Sequence, residues 1–338
     1  MIDSNGQDRL ETPRRVGVLG AGGQLGRCLV RQIEGAPDLA LAFALTRKEI
    51  DLSRAESLSA DIAALLDAAE SELPEVVINA AAHTKVDLCE SEPALAYQTN
   101  ALAPAEWSQQ LARREIRFIH VSTDYVFAGD GVRPYREGDP TDPRTVYGAS
   151  KRAGEVAVLG SDPDALVVRT SWVFGPGRNF VVAILEQAVK RRVGEVEGPL
   201  EVVDDQHGSP TFVDDLAFAL LAIARQEREE WGGGLLHLCN RGETTWFGFA
   251  REILDQAGFE EIAIAPVPSS RFETAAKRPA YSILDCSWAE GKGIVMPPWQ
   301  DALSRYLAGP DRPEMLPPSS PAPSPATPPT SVRQEVSR

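Results

Sequence analysis

The feature that most constrains this chain is an alternation, running from about residue 16 to residue 170, of short β-branched apolar runs with longer segments of helical periodicity. Runs at 16–19, 41–45, 76–79, 118–122 and 166–170 read as strands, and 24–33, 58–69, 94–113 and 147–159 read as the helices between them. Parallel strands need a crossover between them, and a helix supplies it, so this order predicts an α/β fold with a doubly wound parallel (Rossmann) sheet over 15–171. Beyond Ser171 the rhythm loosens, with helical stretches near 181–190, 214–224 and 247–257 among short strands and many Gly and Pro. Residues 172–309 read as mainly a smaller C-terminal substrate-binding α/β subdomain, interleaved with the sheet. Residues 1–14 and the Pro/Ser/Ala/Thr-rich stretch 310–338 cannot bury enough apolar surface to offset ordering and are expected to be disordered tails.

Composition narrows the partners. The 338 residues carry 34 Lys+Arg against 49 Asp+Glu, a net charge of -15 that repels nucleic acid, so any bound phosphate must meet a local site. No stretch approaches the ~18 consecutive apolar residues of a membrane helix, and the N-terminus has no apolar signal-peptide core. The chain is expected to be cytoplasmic. Cys28, Cys89, Cys239 and Cys286 are far apart with no C-x-x-C, which points to neither a disulfide framework nor a zinc knuckle.

The first strand runs directly into Gly20-Ala21-Gly22-Gly23-Gln24-Leu25-Gly26, which opens a helix. Gly20 permits the tight turn, Gly23 lets backbone approach a pyrophosphate, and Gly26 lets helix and strand pack closely. The pyrophosphate of a dinucleotide would sit on the free N–H groups of the helix N-terminus. After the second strand comes Thr46-Arg47-Lys48, where an NAD site usually presents an acid to the adenosine ribose. Arg47 suits the 2′-phosphate of NADP(H) instead, with NAD(H) left open, and Asp51 and Leu52 fall beside the adenine. An exposed, merely solvated Arg47 is the plain alternative.

The most informative constellation is Ser122-Thr123-Asp124-Tyr125 at a strand end, followed by Tyr147-Gly148-Ala149-Ser150-Lys151 opening a helix. The i, i+4 spacing sets Tyr147 and Lys151 on one face. A free phenol titrates near about 10, and a neighbouring ammonium would bring it toward neutrality for proton transfer. Thr123 is placed to hydrogen-bond a carbonyl oxygen and aim it at Tyr147.

This combination resembles the extended short-chain dehydrogenase/reductase superfamily. Within it, Asn79-Ala80-Ala81-Ala82-His83-Thr84, Val86-Asp87, Glu90-Ser91-Glu92-Pro93, the Thr123 and Tyr147 motifs, Arg169-Thr170-Ser171-Trp172-Val173 and Asp205-Gln206-His207-Gly208-Ser209-Pro210-Thr211 resemble the dTDP-4-dehydrorhamnose reductase family over roughly 15–307. The resemblance implies reduction of the 4-keto group of dTDP-4-dehydro-L-rhamnose by NAD(P)H. Tyr147 would donate the proton, Lys151 would hold the nicotinamide ribose, and Thr123 would orient the ketone.

It also implies that Gly23, Gln24 and Leu25 meet the cofactor phosphates, that Ala80, Ala81, Ala82, His83 and Thr84 line its ribose and nicotinamide side, and that Asn100 lies nearby. Thr123, Asp124 and Trp172 would touch the sugar, with Val86 and Tyr125 as walls. Arg278 is offered for the diphosphate, against a plain surface cation beside a turn. Some members bind Mg2+ at a subunit contact, but no ligands can be placed in this sequence, so metal and homodimer stay open.

His83 and His207 are not at metal-like spacing and read as hydrogen-bonding or packing residues. Trp246 reads equally as family pattern or core aromatic, and Asp214-Asp215 as helix capping. Sugar 4,6-dehydration needs a second carboxylate after Asp124, where Tyr125 stands. Epimerisation with a tightly held cofactor, another deoxysugar 4-ketoreductase, and a non-catalytic NADP-binding subunit resembling the regulatory subunit of methionine adenosyltransferase remain as alternatives.

Overall fold

The strands of the N-terminal half are apolar on both faces, and the structure shows why. In this computed structural model, which describes residues 12–69 and 72–315, with backbone alone for 228 and 229, they form one parallel sheet covered on both sides. Its strands are β1 (Arg14–Leu19), β2 (Leu39–Leu45), β3 (Val76–Asn79), β4 (Arg117–Thr123) and β5 (Leu166–Thr170), connected by α1 (Gln24–Glu34), α2 (Ala55–Ala69), α3 (Val86–Ser91), α4 (Pro93–Tyr97), α5 (Ala103–Ala112) and α6 (Val146–Ser161). Alternate residues divide between two cores. Val16, Val18, Ile78, Ile119, Leu166 and Val168 pack with Cys28 and Leu29 of α1. Val77, Phe118 and Val167 pack on the opposite face with Ile62 of α2 and Trp107 of α5.

The chain continues through β6 (Val173–Phe174), α7 (Phe180–Arg192), β7 (Leu200–Val203), β8 (His207–Gly208), β9 (Thr211–Phe212), α8 (Val213–Arg225) and α9 (Arg228–Trp231). It then returns to the sheet as β10 (Gly234–His237), parallel to β5, giving the order β10-β5-β4-β3-β1-β2. The remaining elements, β11 (Thr244–Thr245), α10 (Trp246–Gln256), β12 (Ile264–Val267), α11 (Ser287–Gly291) and α12 (Trp299–Ala308), build the smaller part with β6 to β9. There β12 pairs with β7, β9 with β6 and β11 with β8. The sheet order reverses between β1 and β3, so the turns leaving these two strands flank the crevice where doubly wound folds bind ligands.

Two expectations need correction. The helix expected over 94–113 is interrupted by a π turn, Gln98–Leu102, in which Ala103 N–H donates to the Gln98 carbonyl five residues back. Pro104 has no N–H to return to the Asn100 carbonyl, which instead faces Gly154 of α6, where a Cβ would lie 2.1 Å away. The expected tails also begin farther out than the sequence indicated. Arg14 opens β1, and its guanidinium donates to the Ala224 and Gln226 carbonyls, while Met315 packs on the core. The remainder of both tails lies outside the described residues. Among the described residues, no helix is long and apolar enough to cross a membrane.

Candidate active site

The turn after β1 has the shape its glycines require. Gly20 adopts φ +77, its N–H and that of Ala21 donate to the Leu45 carbonyl, and a Cβ on it would lie 2.7 Å from Ala81 N. Gly26 is closer still to its neighbours: a Cβ there would lie 2.1 Å from the Gly20 carbonyl. Gly23 caps α1 without any side-chain hydrogen bond, so the first-turn N–H groups have no internal acceptor. This is a cradle that side chains would fill and that an anion satisfies. Gln24 reaches across to the Arg178 carbonyl, and the Leu25 side chain points into the core, leaving its backbone for the cradle.

Beside it, Asn79 closes β3 and Ala80 donates to the Leu19 carbonyl. Ala81 and Ala82 are half-buried and Thr84 is exposed. Asn100 clamps this segment: its Oδ1 accepts His83 N–H at 2.7 Å, and its Nδ2 donates to the His83 carbonyl at 3.1 Å and to Ser150 Oγ at 3.0 Å. The π turn thus ties the segment leaving β3 to α6. Val86 begins α3, half-buried, just beyond it.

At the end of β2, Arg47 is 77% exposed and its Nε lies 3.4 Å from Asp51 Oδ1, which also accepts from Ser53. Leu52 departs from its expected place. Its side chain is in the core, and its carbonyl accepts from Gln98.

The proton-transfer candidates converge where β4 meets α6. Thr123, buried at the end of β4, donates from Oγ1 to Asp124 Oδ1 at 2.9 Å and accepts Tyr125 N–H at 3.3 Å, and its hydroxyl neighbours the Tyr147 phenol and favours the ionised form of that group. Tyr147 follows the Thr145 cap of α6, and its ring meets Tyr125 edge-on with centroids 5.5 Å apart. Close approach of the two elements depends on Gly148, where a Cβ would lie 2.1 Å from the Tyr125 carbonyl. Burial pushes the Asp124 carboxyl up to about 6, against hydrogen bonds from Ser282 and Thr123 that favour its charged form.

Lys151 is where the structure departs most from expectation. The expected lowering of the Tyr147 pKa by Lys151 is not what this arrangement produces. Burial raises the phenol above the ordinary tyrosine range, the Thr123 hydroxyl only partly offsetting it. The Lys151 amine, itself buried, donates to the Val121 carbonyl at 2.6 Å and faces His120 Nε2 at 3.3 Å. Burial pushes Lys151 down to about 8, opposed by Glu155 one turn along α6.

A cleft of about 1380 Å³ opens beside these groups, bounded by Tyr125 and Thr145 on the sheet side and by Phe180, Trp246 and Arg278 across from them. Arg278 is committed to Asp87 through contacts of 2.6 and 3.2 Å, so the diphosphate expected for it would have to compete with that carboxylate. Trp172 takes φ +45, a left-handed backbone rare for an aromatic residue, and lies flat on Trp246 with centroids 3.5 Å apart. Gly208 makes room for it, since a Cβ there would lie 2.2 Å from the indole. Sequence reasoning missed His120, the buried pair Glu155 and Arg169, and the position of Trp246 in the cleft wall. The one available signal was a histidine within the apolar run from Phe118 to Val121.

Comparison with known proteins agrees with this architecture. The family model described as RmlD substrate binding domain matches residues 14–310. The chain is 42% identical over 309 residues to the dTDP-4-dehydrorhamnose reductase of Mycobacterium tuberculosis (strain ATCC 25618 / H37Rv), covering 88% of this chain and 93% of that one. It is 38% identical to the spore coat polysaccharide biosynthesis protein SpsK of Bacillus subtilis, covering 87% of this chain and 96% of that one. The crystal structure of the dTDP-4-dehydrorhamnose reductase of Bacillus anthracis in complex with NADP superimposes with a TM-score of 0.77 at 31% identity, over 88% of this chain and 98% of that one. Matched by that family model over nearly all of its described length and by reductases of the same name along most of both chains, the chain belongs to the RmlD substrate binding domain family, the dTDP-4-dehydrorhamnose reductases.

Proposed function

We propose that this chain reduces the 4-keto group of dTDP-4-dehydro-L-rhamnose to give dTDP-L-rhamnose, the last step of dTDP-rhamnose biosynthesis, with NADP(H) as cofactor. The carrying observation is that the end of β4 and the start of α6 bring Thr123 and Tyr147 together beside Tyr125, which lines the cleft, because this puts a carbonyl-orienting hydroxyl and a proton donor at one point. The names of the relatives, and the NADP held by the Bacillus anthracis reductase, support the same substrate and cofactor.

Residues 15–171 would bind the cofactor and 172–309 mainly the sugar nucleotide. The backbone N–H groups of Gln24 and Leu25 would hold the pyrophosphate, and Gly23, whose own N–H donates to the Gly20 carbonyl at 2.9 Å, would let the phosphates approach the backbone, with Gly20 and Gly26 keeping the turn tight. Arg47, exposed at the end of β2, would meet the 2′-phosphate, with Asp51 beside the adenosine. The segment Ala80–Thr84 and Asn100 would line the nicotinamide side. When bound, the nicotinamide supplies a hydride to sugar C4.

Tyr147 would give its proton to the forming alkoxide, and the raised phenol pKa keeps that proton in place at neutral pH, as an acid requires. Thr123 would turn its hydroxyl from Asp124 to the ketone oxygen, and Lys151 would leave the Val121 carbonyl for the nicotinamide ribose. Val86, Asp124, Tyr125 and Trp172 would enclose the sugar, and Arg278 would share its charge between Asp87 and the diphosphate. Among the described residues no three His, Cys, Asp or Glu side chains gather to hold a metal ion, and Mg2+ is given no role.

The test is oxidation of NADPH and of NADH by purified protein given dTDP-4-dehydro-L-rhamnose, beside Tyr147→Phe. Loss of the proton donor should lower kcat by roughly 10²- to 10⁴-fold. Folded wild type that oxidises neither cofactor would end this reading.

A further inference from the structure

Asn79 and His120 are fully buried on neighbouring strands beneath Lys151, and their hydrogen bonds determine where the imidazole proton sits. Asn79 Oδ1 accepts the Ala81 N–H at 3.0 Å, which fixes the orientation of the amide. Its Nδ2 therefore faces His120 Nδ1, at 3.0 Å. An amide nitrogen donates and does not accept, so Nδ1 must be the bare nitrogen of the ring, and a neutral imidazole with a bare Nδ1 carries its proton on Nε2. Reversing the amide would set its NH2 against the Ala81 N–H. Burial and the nearby Lys151 both disfavour the imidazolium.

The His120 Nε2–H then points at Lys151 Nζ, 3.3 Å away, while Nζ donates to the Val121 carbonyl at 2.6 Å. A free amine satisfies both contacts, with N–H for the carbonyl and its lone pair for the imidazole. An ammonium has no lone pair, and would set N–H against N–H.

We propose that Asn79 and His120 are positioning residues that hold Lys151 as a free amine in this arrangement, and that turning Lys151 to the nicotinamide ribose as an ammonium draws a proton from solvent. The second half rests on the role given to Lys151 above. The new N–H bond forms on Nζ, the proton coming from water or buffer, and the His120 contact is released. Around Lys151, Glu155 on its own helix favours the charged form, but that carboxylate is already bonded to Arg169 of β5, Ser122 of β4 and Arg152. Asn79 of β3 and Asn100 of the π turn bring no charge. The depression of Lys151 to about 8 agrees with a site that disfavours the ammonium. The string Ala81–Asn79–His120–Lys151 thereby links the segment expected along the cofactor to the residue expected to hold it.

Two measurements test this. In protein labelled with 15N-histidine and given no cofactor, long-range proton–nitrogen correlation should report His120 as the Nε2–H tautomer at about pH 8.5, above the Lys151 pKa of about 8. An Nδ1–H ring or an imidazolium overturns the proposal. In calorimetric titration with NADPH at about pH 8.5, in buffers of different ionisation enthalpy, binding should take up most of a proton. Asn79→Asp keeps the Ala81 contact but accepts a proton from Nδ1, which turns Nε2 into an acceptor for the ammonium, so uptake should fall severalfold while NADPH still binds. If that variant does not fold, His120→Gln serves, since its amide carbonyl can accept from an ammonium. Wild-type binding with no proton uptake, or uptake unchanged in the folded variant, overturns the proposal. Failure of NADPH to bind at all would fall on the functional reading, and the imidazole spectrum would still decide the tautomer.

Discussion

Glu155 and Arg169 meet across α6 and β5 entirely out of water, with Nη2–Oε2 at 2.7 Å and Nε–Oε1 at 2.8 Å. Ser122 adds a bond to the same carboxylate at 2.7 Å, and the guanidinium lies 4.9 Å from the Phe127 ring centre. Both charges are solvated by one another and by fixed partners, so removing one leaves the other stranded. Arg169→Met is expected to cost about 3–5 kcal/mol. Joined with Glu155→Leu, it should cost less than the sum of the two single changes. Urea unfolding of the set measures this, and additive losses would contradict it.

Asp124 carries a pH signature. Its folded pKa near 6 stands above the ordinary carboxylate value of about 3.9, so the folded state holds the proton more tightly than the unfolded chain. Stability from this residue is therefore present below about pH 4 and is lost as pH rises to about 6, to a total of roughly 3 kcal/mol. Asp124→Asn should be more stable than wild type by that order at about pH 8 and by little at about pH 4. Thermal unfolding across this range checks the sign, and a gain confined to low pH would contradict it.

At the glycine turn, Gly26→Ala places a methyl against the Gly20 carbonyl and Ala21 Cα, both backbone atoms that cannot move aside. The expected outcome is a loss of about 1–3 kcal/mol and NADPH binding weaker by more than about tenfold. Gly22→Ala is the control, since its methyl would meet only the Thr46 side chain at 3.7 Å. Equal effects at both positions would remove the steric argument.

Gly208→Ala tests the tryptophan stack. The methyl would strike the Trp172 indole, which is pinned flat against Trp246 in the cleft wall. We expect the KM for the sugar nucleotide to rise severalfold while the KM for NADPH holds. Steady-state kinetics with each substrate varied separately distinguishes this from general loss of fold.

The parts of the molecule legible in the sequence are those dictated by local rules. Strands 76–79 and 166–170 appear with the expected limits, and the first helix differs only at its C-terminal end. In each case the period of apolar residues, or the glycine conformation, is a property of adjacent residues. The interruption of the long helix was written in Pro104, but its use was not: the freed Asn100 peptide matters only because Gly154 lets α6 approach it.

By itself the sequence determined the sheet, the glycine cradle and the Tyr147–Lys151 helix, because a few residues of contiguous chain carry each pattern. Tertiary structure alone decided what Lys151 touches. Helical spacing puts Lys151 on the face of Tyr147, yet its amine is taken by Val121 and His120, which lie some thirty positions earlier and are brought beneath it by the packing of α6 on β4. The same packing brings Glu155 to Ser122, and Arg169 of β5 joins them. A buried polar group must find its partner wherever the fold delivers one, and chain spacing does not encode that distance.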